Sequence, residues 1–279
     1  MPVSLLGAAE IRRLAADLDV TPTKKLGQNF VVDANTVRKI VQAARVSASD
    51  RVVEIGPGLG SLTLAILETG ASVVAVEIDH RLAERLPATA AAHDVPADRL
   101  TVIDADALRV DALPGEPSVL VANLPYNVSV PVLLHFLETF PYLQRGVVMV
   151  QAEVGERLAA PPGSKIYGAP SVKAAWYGAW RLAGTVSRQV FWPVPNVDSV
   201  LVAFERDAEP RGTEEHRRQT FRIVDAAFQQ RRKMLRQALS GVLGGTAAEA
   251  SAHLERAGVD PTLRGEQLTV EDYARIAAS

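Results

Sequence analysis

The residues with the clearest chemical potential are four in a row, Asn123-Leu124-Pro125-Tyr126. They follow the apolar run 119–122, which predicts a buried strand, and Pro125 prevents that strand from continuing. An amide, a stiff turn and an aromatic ring are therefore expected at the carboxyl end of a strand, where open α/β sheets bind ligands. The Asn123 oxygen and the Leu124 carbonyl could accept hydrogen bonds from an NH₂ group while Tyr126 stacks on its ring. That chemistry is methylation of an exocyclic amino group on a base; a simple strand-ending turn is the alternative.

A glycine-rich turn upstream favours a bound nucleoside. The predicted strand 51–55, in which three of the five residues are apolar, leads directly into Gly56, Gly58 and Gly60, and a helical pattern follows. Glycines at these positions permit a tight turn and a close approach of the backbone to a ligand. Their G-x-G-x-G spacing differs from the dinucleotide G-x-G-x-x-G pattern. Because the next predicted strand ends in Glu77, where an acid can bind ribose hydroxyls, the two elements together favour a nucleoside cofactor.

The composition narrows the chemistry further. The 279 residues include five scattered histidines and no cysteine, so the sequence predicts no metal site. Methylation of a pyrimidine carbon commonly uses a thiolate, so the missing cysteine favours a nitrogen acceptor that attacks a sulfonium methyl directly. The net charge of −2 predicts that any nucleic acid is bound through local basic patches. Neither a membrane-spanning apolar stretch nor a signal-peptide pattern is found, so a cytoplasmic location is expected.

The order of the predicted elements indicates an α/β domain followed by a smaller helical domain. Helices are predicted over about 7–18, from an N-cap at Asp33 to Ala44, and over 151–158; strands are predicted near 51–55, 72–77, 100–103, 118–122, 146–151, 171–182 and 198–205. Apolar side chains at helical spacing from Phe221 to Leu239 predict one long helix near the end of the chain. We therefore predict a first domain over 1–206, with an extension of helix and loop over 1–48, and a helical domain over 207–279.

Six short motifs in order resemble those of the rRNA adenine dimethyltransferases. The motifs are Leu26-Gly-Gln-Asn-Phe30, Glu54-Ile-Gly-Pro-Gly-Leu-Gly60, Asn123-Leu-Pro-Tyr126, Gly163-Ser-Lys-Ile-Tyr-Gly168, Phe191-Trp-Pro-Val-Pro195 and Phe228-Gln-Gln-Arg-Arg-Lys-Met-Leu235. The match is similar to the bacterial type that dimethylates two adjacent adenines near the 3′ end of 16S rRNA in the small ribosomal subunit, and it covers nearly the whole chain. Val31 departs from the usual Leu of this family, a conservative change.

The resemblance implies a Rossmann-like class I methyltransferase sheet that binds S-adenosylmethionine. It assigns the cofactor to the residues Gln28, Asn29, Val31, Gly56, Gly58, Glu77, Asp106 and Asn123. Within this set, Glu77 takes the ribose hydroxyls and Asp106 accepts from the adenine amino group. Sequence spacing leaves Asp104 open as the alternative to Asp106.

The same resemblance assigns catalysis to Asn123, Leu124, Tyr126 and Phe191, with the two aromatic rings clamping an unpaired adenine. For Phe191 a core position is the alternative, although its neighbouring prolines favour an exposed rigid loop. A basic helix is expected to contact RNA phosphates through Arg231, Arg232, Lys233 and Arg236, and a second basic patch is expected at Lys24 and Lys25. A solvated helix face is the alternative for the first patch.

The functional prediction is a monomeric enzyme that methylates the N6 amino groups of adenines in 16S rRNA. Two alternatives stay open at this point. The acceptor could instead be 23S rRNA or DNA adenine, or the protein could act mainly as an assembly factor whose binding to immature subunits matters more than its catalysis.

Overall fold

A computed structural model describes residues 3–20, 29–125 and 128–279. By contact the chain divides into two compact units, one of Met1–Gly155 with Arg181–Arg206 and the other of Glu156–Trp180 with Asp207–Ser279. The second unit therefore includes the segment Glu156–Trp180, which the sequence analysis assigned to the first domain. The functional boundary at residue 206 stays a prediction.

The described part of the chain alternates helices and strands before it becomes mainly helical. In chain order the elements are α1 (Ala8–Asp17), β1 (Phe30–Val31), α2 (Ala34–Ala43), β2 (Arg51–Ile55), α3 (Ser61–Glu68), β3 (Ser72–Glu77), α4 (His80–Ala92), β4 (Leu100–Asp104), β5 (Val119–Asn123), α5 (Ser129–Thr139), β6 (Arg145–Gln151), α6 (Ala152–Leu158), α7 (Ala169–Ala175), β7 (Gly178–Val186), β8 (Phe191–Trp192), β9 (Ser199–Arg206), α8 (Glu214–Gln229), α9 (Leu235–Ala238), α10 (Ala247–Arg256) and α11 (Val270–Ala278). None of these helices combines the length and the apolar character needed to cross a bilayer.

Seven strands form the main sheet, in the order β4-β3-β2-β5-β6-β9-β7. The pairs among β2, β3, β4, β5 and β6 are parallel, whereas β9 runs antiparallel to β6. The chain leaves β2 towards β3 and β4, and then returns to the other side of β2 to form β5. The carboxyl ends of β2 and β5 therefore flank the point where the strand order reverses, which is where sheets of this kind bind ligands.

The central strands are buried on both faces. Val52 and Val53 in β2 and the four residues 119–122 in β5 have no exposed surface. Parallel strands covered by helices on both sides read as continuous apolar runs, which explains why the sequence predicted them closely. A buried core links these strands to α2 and α3 through side chains such as Ile40 and Leu67.

Most helices in the second unit begin at a side-chain cap. Thr213 accepts from the backbone N–H of His216 at the start of α8, and Thr246 and Thr269 form capping boxes at the starts of α10 and α11. Leu235, Leu239, Leu254, Tyr273 and Ile276 have no exposed surface and form the centre of this unit. Its stability therefore comes from a small apolar core with well-defined helix ends.

Two predicted elements are wrong. The strand predicted over 171–182 is helix α7 followed by β7, because Pro170 in the first helical turn and the following Ala-rich residues suit a helix. The predicted long helix ends at Gln229. The Leu235 N–H then donates to Leu263 O at 2.7 Å and the Arg236 N–H to Pro261 O at 3.1 Å, so contacts distant in sequence replace the helical hydrogen bonds.

Candidate active site

A cavity of about 290 Å³ lies at the point where the strand order reverses. The ends of β2, β3 and β5 line it, together with β1 and the first turn of α3. Its described lining residues are Asn29, Phe30, Val31, Glu54, Ile55, Gly56, Pro57, Gly58, Leu59, Ser61, Leu62, Val76, Glu77, Ile78, Leu82, Ala105, Asp106, Ala107, Leu108, Asn123, Pro125, Val128 and Val132. Residues separated by about a hundred positions in sequence thus meet because parallel strands present their carboxyl ends at one edge.

Glu77 connects the glycine turn to the end of β3. Its carboxylate accepts from the Gly58 N–H at 3.0 Å and from the Asp79 N–H at 3.0 Å. The side chain is buried, and burial raises the pKa of Glu77, although these hydrogen bonds oppose the rise. Glu77 therefore stabilises the glycine turn at the edge of the cavity. This structural role was not predicted from the sequence.

The glycine turn needs conformations that other residues rarely adopt. Gly56 has a φ of +69° and Gly58 a φ of +58°, both in the left-handed region. A Cβ atom on Gly58 would lie 3.0 Å from the Phe30 ring. The turn therefore packs against β1 and leaves its backbone facing the cavity.

Glu54 is a cavity residue whose importance sequence reasoning missed. It is only 1% exposed, and its Oε2 atom has no hydrogen-bond partner among the described residues. Burial raises the pKa of Glu54 to about 8; the Thr63 side chain opposes this rise, and the charge of Glu77 adds to it. The available signal was a single acid in the middle of a predicted buried strand. Burying an unpaired carboxylate is costly, so an acid at such a position indicates a function.

Asn123 is held in one orientation at the end of β5. Its Nδ2 atom donates to the Asn29 carbonyl oxygen at 3.1 Å. Since a carbonyl can only accept, the NH₂ end of the amide must face Asn29, and Oδ1 must point elsewhere. Next to it, Leu124 is buried and its N–H donates to Met149 O at 3.0 Å, which anchors the turn.

The structure separates the two candidate acids after β4. Asp106 lines the cavity and accepts from the Leu108 N–H at 3.0 Å. Asp104 is not among the cavity residues, and its carboxylate contacts the His80 ring. The geometry therefore favours Asp106 as the acid that can reach a ligand in this cavity.

The expectation that Phe191 lies exposed on a rigid loop is wrong. The ring is 2% exposed, because β8 pairs antiparallel with β1 and places Phe191 opposite Val31 in the core. Exposure begins at Pro193, directly after Trp192, and Val194 is 58% exposed. As positioned, Phe191 is a packing residue, and stacking on a base stays a prediction that requires the ring to become accessible.

Three of the four residues predicted to form a basic helix, Arg231, Arg232 and Lys233, lie in a turn between α8 and α9 in the second unit, and Arg236 lies in α9. Arg231 donates from Nε to Glu266 at 2.7 Å and from Nη2 to Lys165 O at 2.7 Å. Arg236 is half-buried and donates to the Met234 sulfur at 3.5 Å. Arg232 and Lys233 are exposed and make no ion pair among the described residues, so within this turn they are the cations available to a partner.

Some predicted site residues lie outside the described residues. Gln28 and the basic pair Lys24 and Lys25 belong to the segment 21–28, and Tyr126 belongs to the segment 126–127. Their proposed roles stay predictions.

The cavity suits a nucleoside cofactor that carries positive charge. Glu54, Glu77 and Asp106 contribute three acids, and none of the described lining residues is basic. The buried Oε2 of Glu54 and the buried hydroxyl of Ser61 both lack a hydrogen-bond partner among the described residues. Apolar side chains such as Ile78 and Leu108, which are 56% and 40% exposed, offer surfaces for a flat ring. A cationic, ribose-containing ligand satisfies all of these features.

The fold and this cavity together define a class I S-adenosylmethionine-dependent methyltransferase. The family model described as ribosomal RNA adenine dimethylase matches residues 21–279. This chain belongs to that family, which confirms the resemblance drawn from its motifs, and its cofactor is S-adenosylmethionine.

Individual proteins extend the comparison. The chain is 68% identical to a protein from Leifsonia xyli subsp. xyli named ribosomal RNA small subunit methyltransferase A, over 98% of each chain. A crystal structure of a dimethyladenosine transferase from Plasmodium falciparum matches with a TM-score of 0.76 and 23% identity, covering 88% of this chain and 94% of the other, which shows a shared fold. The 23S rRNA methyltransferase ErmE matches with a TM-score of 0.67 and 26% identity, covering 90% of this chain and 98% of the other.

Replacing Glu54 by Gln should flatten the pH dependence of stability. The pKa of Glu54 is about 8 in the folded protein and 4.5 in its ordinary range. The folded state therefore keeps a proton that the unfolded chain has released, so the free energy of unfolding falls as pH rises from about 4.5 through 8. Glu54→Gln removes this decline, a relative gain of roughly 3–5 kcal/mol at pH 9 compared with pH 4.

Urea unfolding at a series of pH values measures the effect. Glu68→Gln is the control, because Arg38 lowers the pKa of Glu68 and reverses the expected sign. Parallel pH profiles for Glu54→Gln and the unmodified protein would rule out a buried, protonated Glu54.

Proposed function

We propose that this protein transfers methyl groups from S-adenosylmethionine to the N6 amino groups of two adjacent adenines near the 3′ end of 16S rRNA. The substrate is the small ribosomal subunit during its assembly in the cytoplasm, and the enzyme acts as a monomer. Family membership and the similarity to a protein named for the small subunit support this proposal.

The observation that carries the proposal is the fixed amide of Asn123. Its Nδ2 atom donates to Asn29 O, so Oδ1 is free to accept a hydrogen bond from an adenine amino group. The Leu124 carbonyl, on an anchored turn, is proposed as the second acceptor.

An adenine amino nitrogen is a poor nucleophile because its lone pair is delocalised into the ring. Two acceptors draw its hydrogens and favour a pyramidal nitrogen, and the same dipoles stabilise the positive charge that develops there.

The remaining cavity residues are proposed to position the two reactants. S-adenosylmethionine supplies an electrophilic methyl group on a sulfonium. Glu77 is proposed to bind the ribose hydroxyls and Asp106 the adenine amino group, while Asn29, Val31 and the backbone at Gly56 and Gly58 enclose the methionine end. Holding nitrogen, methyl and sulfur in line lowers the barrier without a strong base, because the alkylated amine is acidic enough to lose its proton to solvent. Tyr126 is proposed to stack on the target adenine.

The exposed cations of the second unit are proposed to contact RNA phosphates. Arg232 and Lys233 lie side by side on the turn after α8, which Arg231 ties to Glu266 and to the backbone of Lys165. Arg231 therefore supports the turn, whereas its two neighbours are accessible. A rigid turn that presents two unpaired cations suits recognition of folded RNA by its backbone.

Neutralising these two cations should weaken subunit binding and its salt dependence. For Arg232→Ala with Lys233→Ala, we expect the log–log salt slope to become shallower by up to about one unit for each lost phosphate contact. Filter binding to small subunits at several salt concentrations measures this slope. Arg12→Ala with Arg13→Ala makes the same charge change on exposed residues of α1 and serves as the control. Identical slopes in both double variants would mean that Arg232 and Lys233 contact solvent and not RNA phosphates.

One experiment separates the proposed acceptor from its alternatives. Small subunits, large subunits and deproteinised 16S rRNA, all lacking the modification, are incubated with enzyme and cofactor, and dimethyladenosine is quantified by mass spectrometry after RNA digestion. We expect rapid modification of the partly assembled small subunit, slower modification of the naked rRNA and none of the large subunit. Preferential modification of 23S rRNA would instead support the activity for which ErmE is named.

A further inference from the structure

Glu54 stands apart from the other two acids of the cavity. Glu77 has backbone N–H donors on both oxygens, and Asp106 accepts from the Leu108 N–H. Glu54 is 1% exposed, and its Oε2 lacks any partner in the described part of the chain. Burying a carboxylate oxygen that has no hydrogen-bond donor and no cation nearby is unfavourable. At the wall of a cavity, a bound ligand can supply the missing partner.

The surroundings of Glu54 supply no compensating cation. From β3 it faces Glu77, whose negative charge opposes ionisation. From α3 it faces the Thr63 hydroxyl, which favours the ionised form less strongly than burial disfavours it and which carries no charge. The acid at the start of α4, Asp79, is already paired with Arg81 at 3.0 Å, and the cavity lining described here contains no Lys, Arg or His.

We propose that Glu54 carries a proton in the cofactor-free protein and becomes the carboxylate counter-charge of the sulfonium when S-adenosylmethionine binds. The proton leaves the carboxyl oxygen and passes to solvent, and no covalent bond to the cofactor forms. This inference rests on the proposed location of the cofactor in the cavity. Its consequence is selectivity for the methyl donor over the product S-adenosylhomocysteine, whose sulfur is neutral.

The physical basis is thermodynamic linkage between the positive charge of the ligand and the ionisation of Glu54 in a buried site. A positive charge that enters an unscreened cavity favours the ionised form of a nearby carboxyl group, and the carboxylate favours the cation equally. Because burial holds the pKa of Glu54 near 8, the group is mostly protonated at neutral pH, so ionisation on binding must release a proton. S-adenosylhomocysteine keeps the ammonium of the donor but lacks its sulfonium, so it should drive this ionisation much less.

Calorimetry of the full-length protein tests the proposal without any turnover. Titrations in buffers of different ionisation enthalpy give the number of protons released on binding. For S-adenosylmethionine we expect about one proton near pH 7, decreasing towards zero well above pH 8, and a clearly smaller number for S-adenosylhomocysteine. The ratio of their affinities should rise up to about tenfold per pH unit below pH 8 and then level off.

Two variants identify the group responsible. Glu54→Gln should abolish the difference in proton release between the two ligands and make their affinity ratio independent of pH at and below about pH 7, where the ammonium of both ligands stays largely protonated. Glu68→Gln, outside the cavity, should behave like the unmodified protein. Should Glu54→Gln not fold, the two proton counts for the unmodified protein still decide the matter.

The outcomes separate this inference from the proposed cofactor site. Cofactor binding that Glu77→Ala leaves unchanged would refute the location of the site. Binding that depends on Glu77 but releases no proton, or releases equally many with both ligands, would overturn the role of Glu54 alone.

Discussion

Asn123→Ala is expected to slow methyl transfer by roughly 100- to 1000-fold while the protein still binds small subunits. The substitution removes the Oδ1 atom, the proposed acceptor for the adenine amino group, and also the Nδ2 donor to Asn29 O. Loss of one pre-positioned dipole at a developing charge typically costs this much in rate. Binding should persist because the phosphate contacts are proposed to lie in the second unit. Single-turnover methylation and filter binding, measured on the same preparation, report the two properties separately.

Asn123→Asp gives the sharper comparison. Aspartate keeps one acceptor oxygen but presents a second one to the Asn29 carbonyl, where the amide had donated. We therefore expect activity above that of the Ala variant and below that of the unmodified protein. Asn35→Ala, an exposed amide in the first turn of α2, is the matched control and should retain full activity.

Near-normal single-turnover rates for Asn123→Ala would remove the basis for the proposed chemistry. The same variants test the assembly-factor alternative in cells. If the Ala variant lost methylation but fully restored growth of a deletion strain, binding to immature subunits would be the principal role.

Glu77→Ala should weaken S-adenosylmethionine binding by roughly 1–3 kcal/mol, because the proposed charge-assisted contact to the ribose is lost. The structure adds a second cause, since the same carboxylate accepts from the N–H groups of Gly58 and Asp79. The apolar residues of β3 remain buried, so the fold should persist. Calorimetry measures the affinity, and thermal unfolding verifies that the variant is folded.

Glu77→Gln separates the two causes. The amide keeps one oxygen as an acceptor but removes the negative charge, so its loss of affinity should lie between that of the Ala variant and zero. A folded Glu77→Ala variant with unchanged affinity would exclude this acid as a cofactor ligand.

The central sheet and its ligand-binding edge were predictable from the sequence alone. The buried strands are mainly apolar, and a polar or glycine-rich turn follows each of them, so β2, β3 and β5 were placed within about a residue of their observed bounds. Asp33 was likewise expected as an N-cap, and it accepts from the Thr36 N–H at the start of α2. These features are local, since they depend on side-chain periodicity and on turn chemistry within a few residues. The class I fold could therefore be predicted from the sequence, and this prediction is confirmed.

Other features were decided only by contacts between distant residues. Phe191 lies in the core because β8 pairs with β1, about 160 positions away, and no local signal reports that pairing. In the same way, Arg231 forms a salt bridge with Glu266, whereas the adjacent Arg232 makes no ion pair among the described residues. The two residues look equivalent in the sequence.

The chemistry of the site divides along the same line. Sequence motifs identified Asn123, Glu77 and the glycine turn because their residue types and positions at strand ends carry the signal. Only the tertiary structure orients the Asn123 amide against Asn29 O, selects Asp106 over Asp104 as a cavity residue and isolates Glu54 from solvent. Orientation and burial depend on neighbours supplied by other strands and helices. The sequence therefore determined which functional groups are present, and the tertiary structure decided their direction, accessibility and charge.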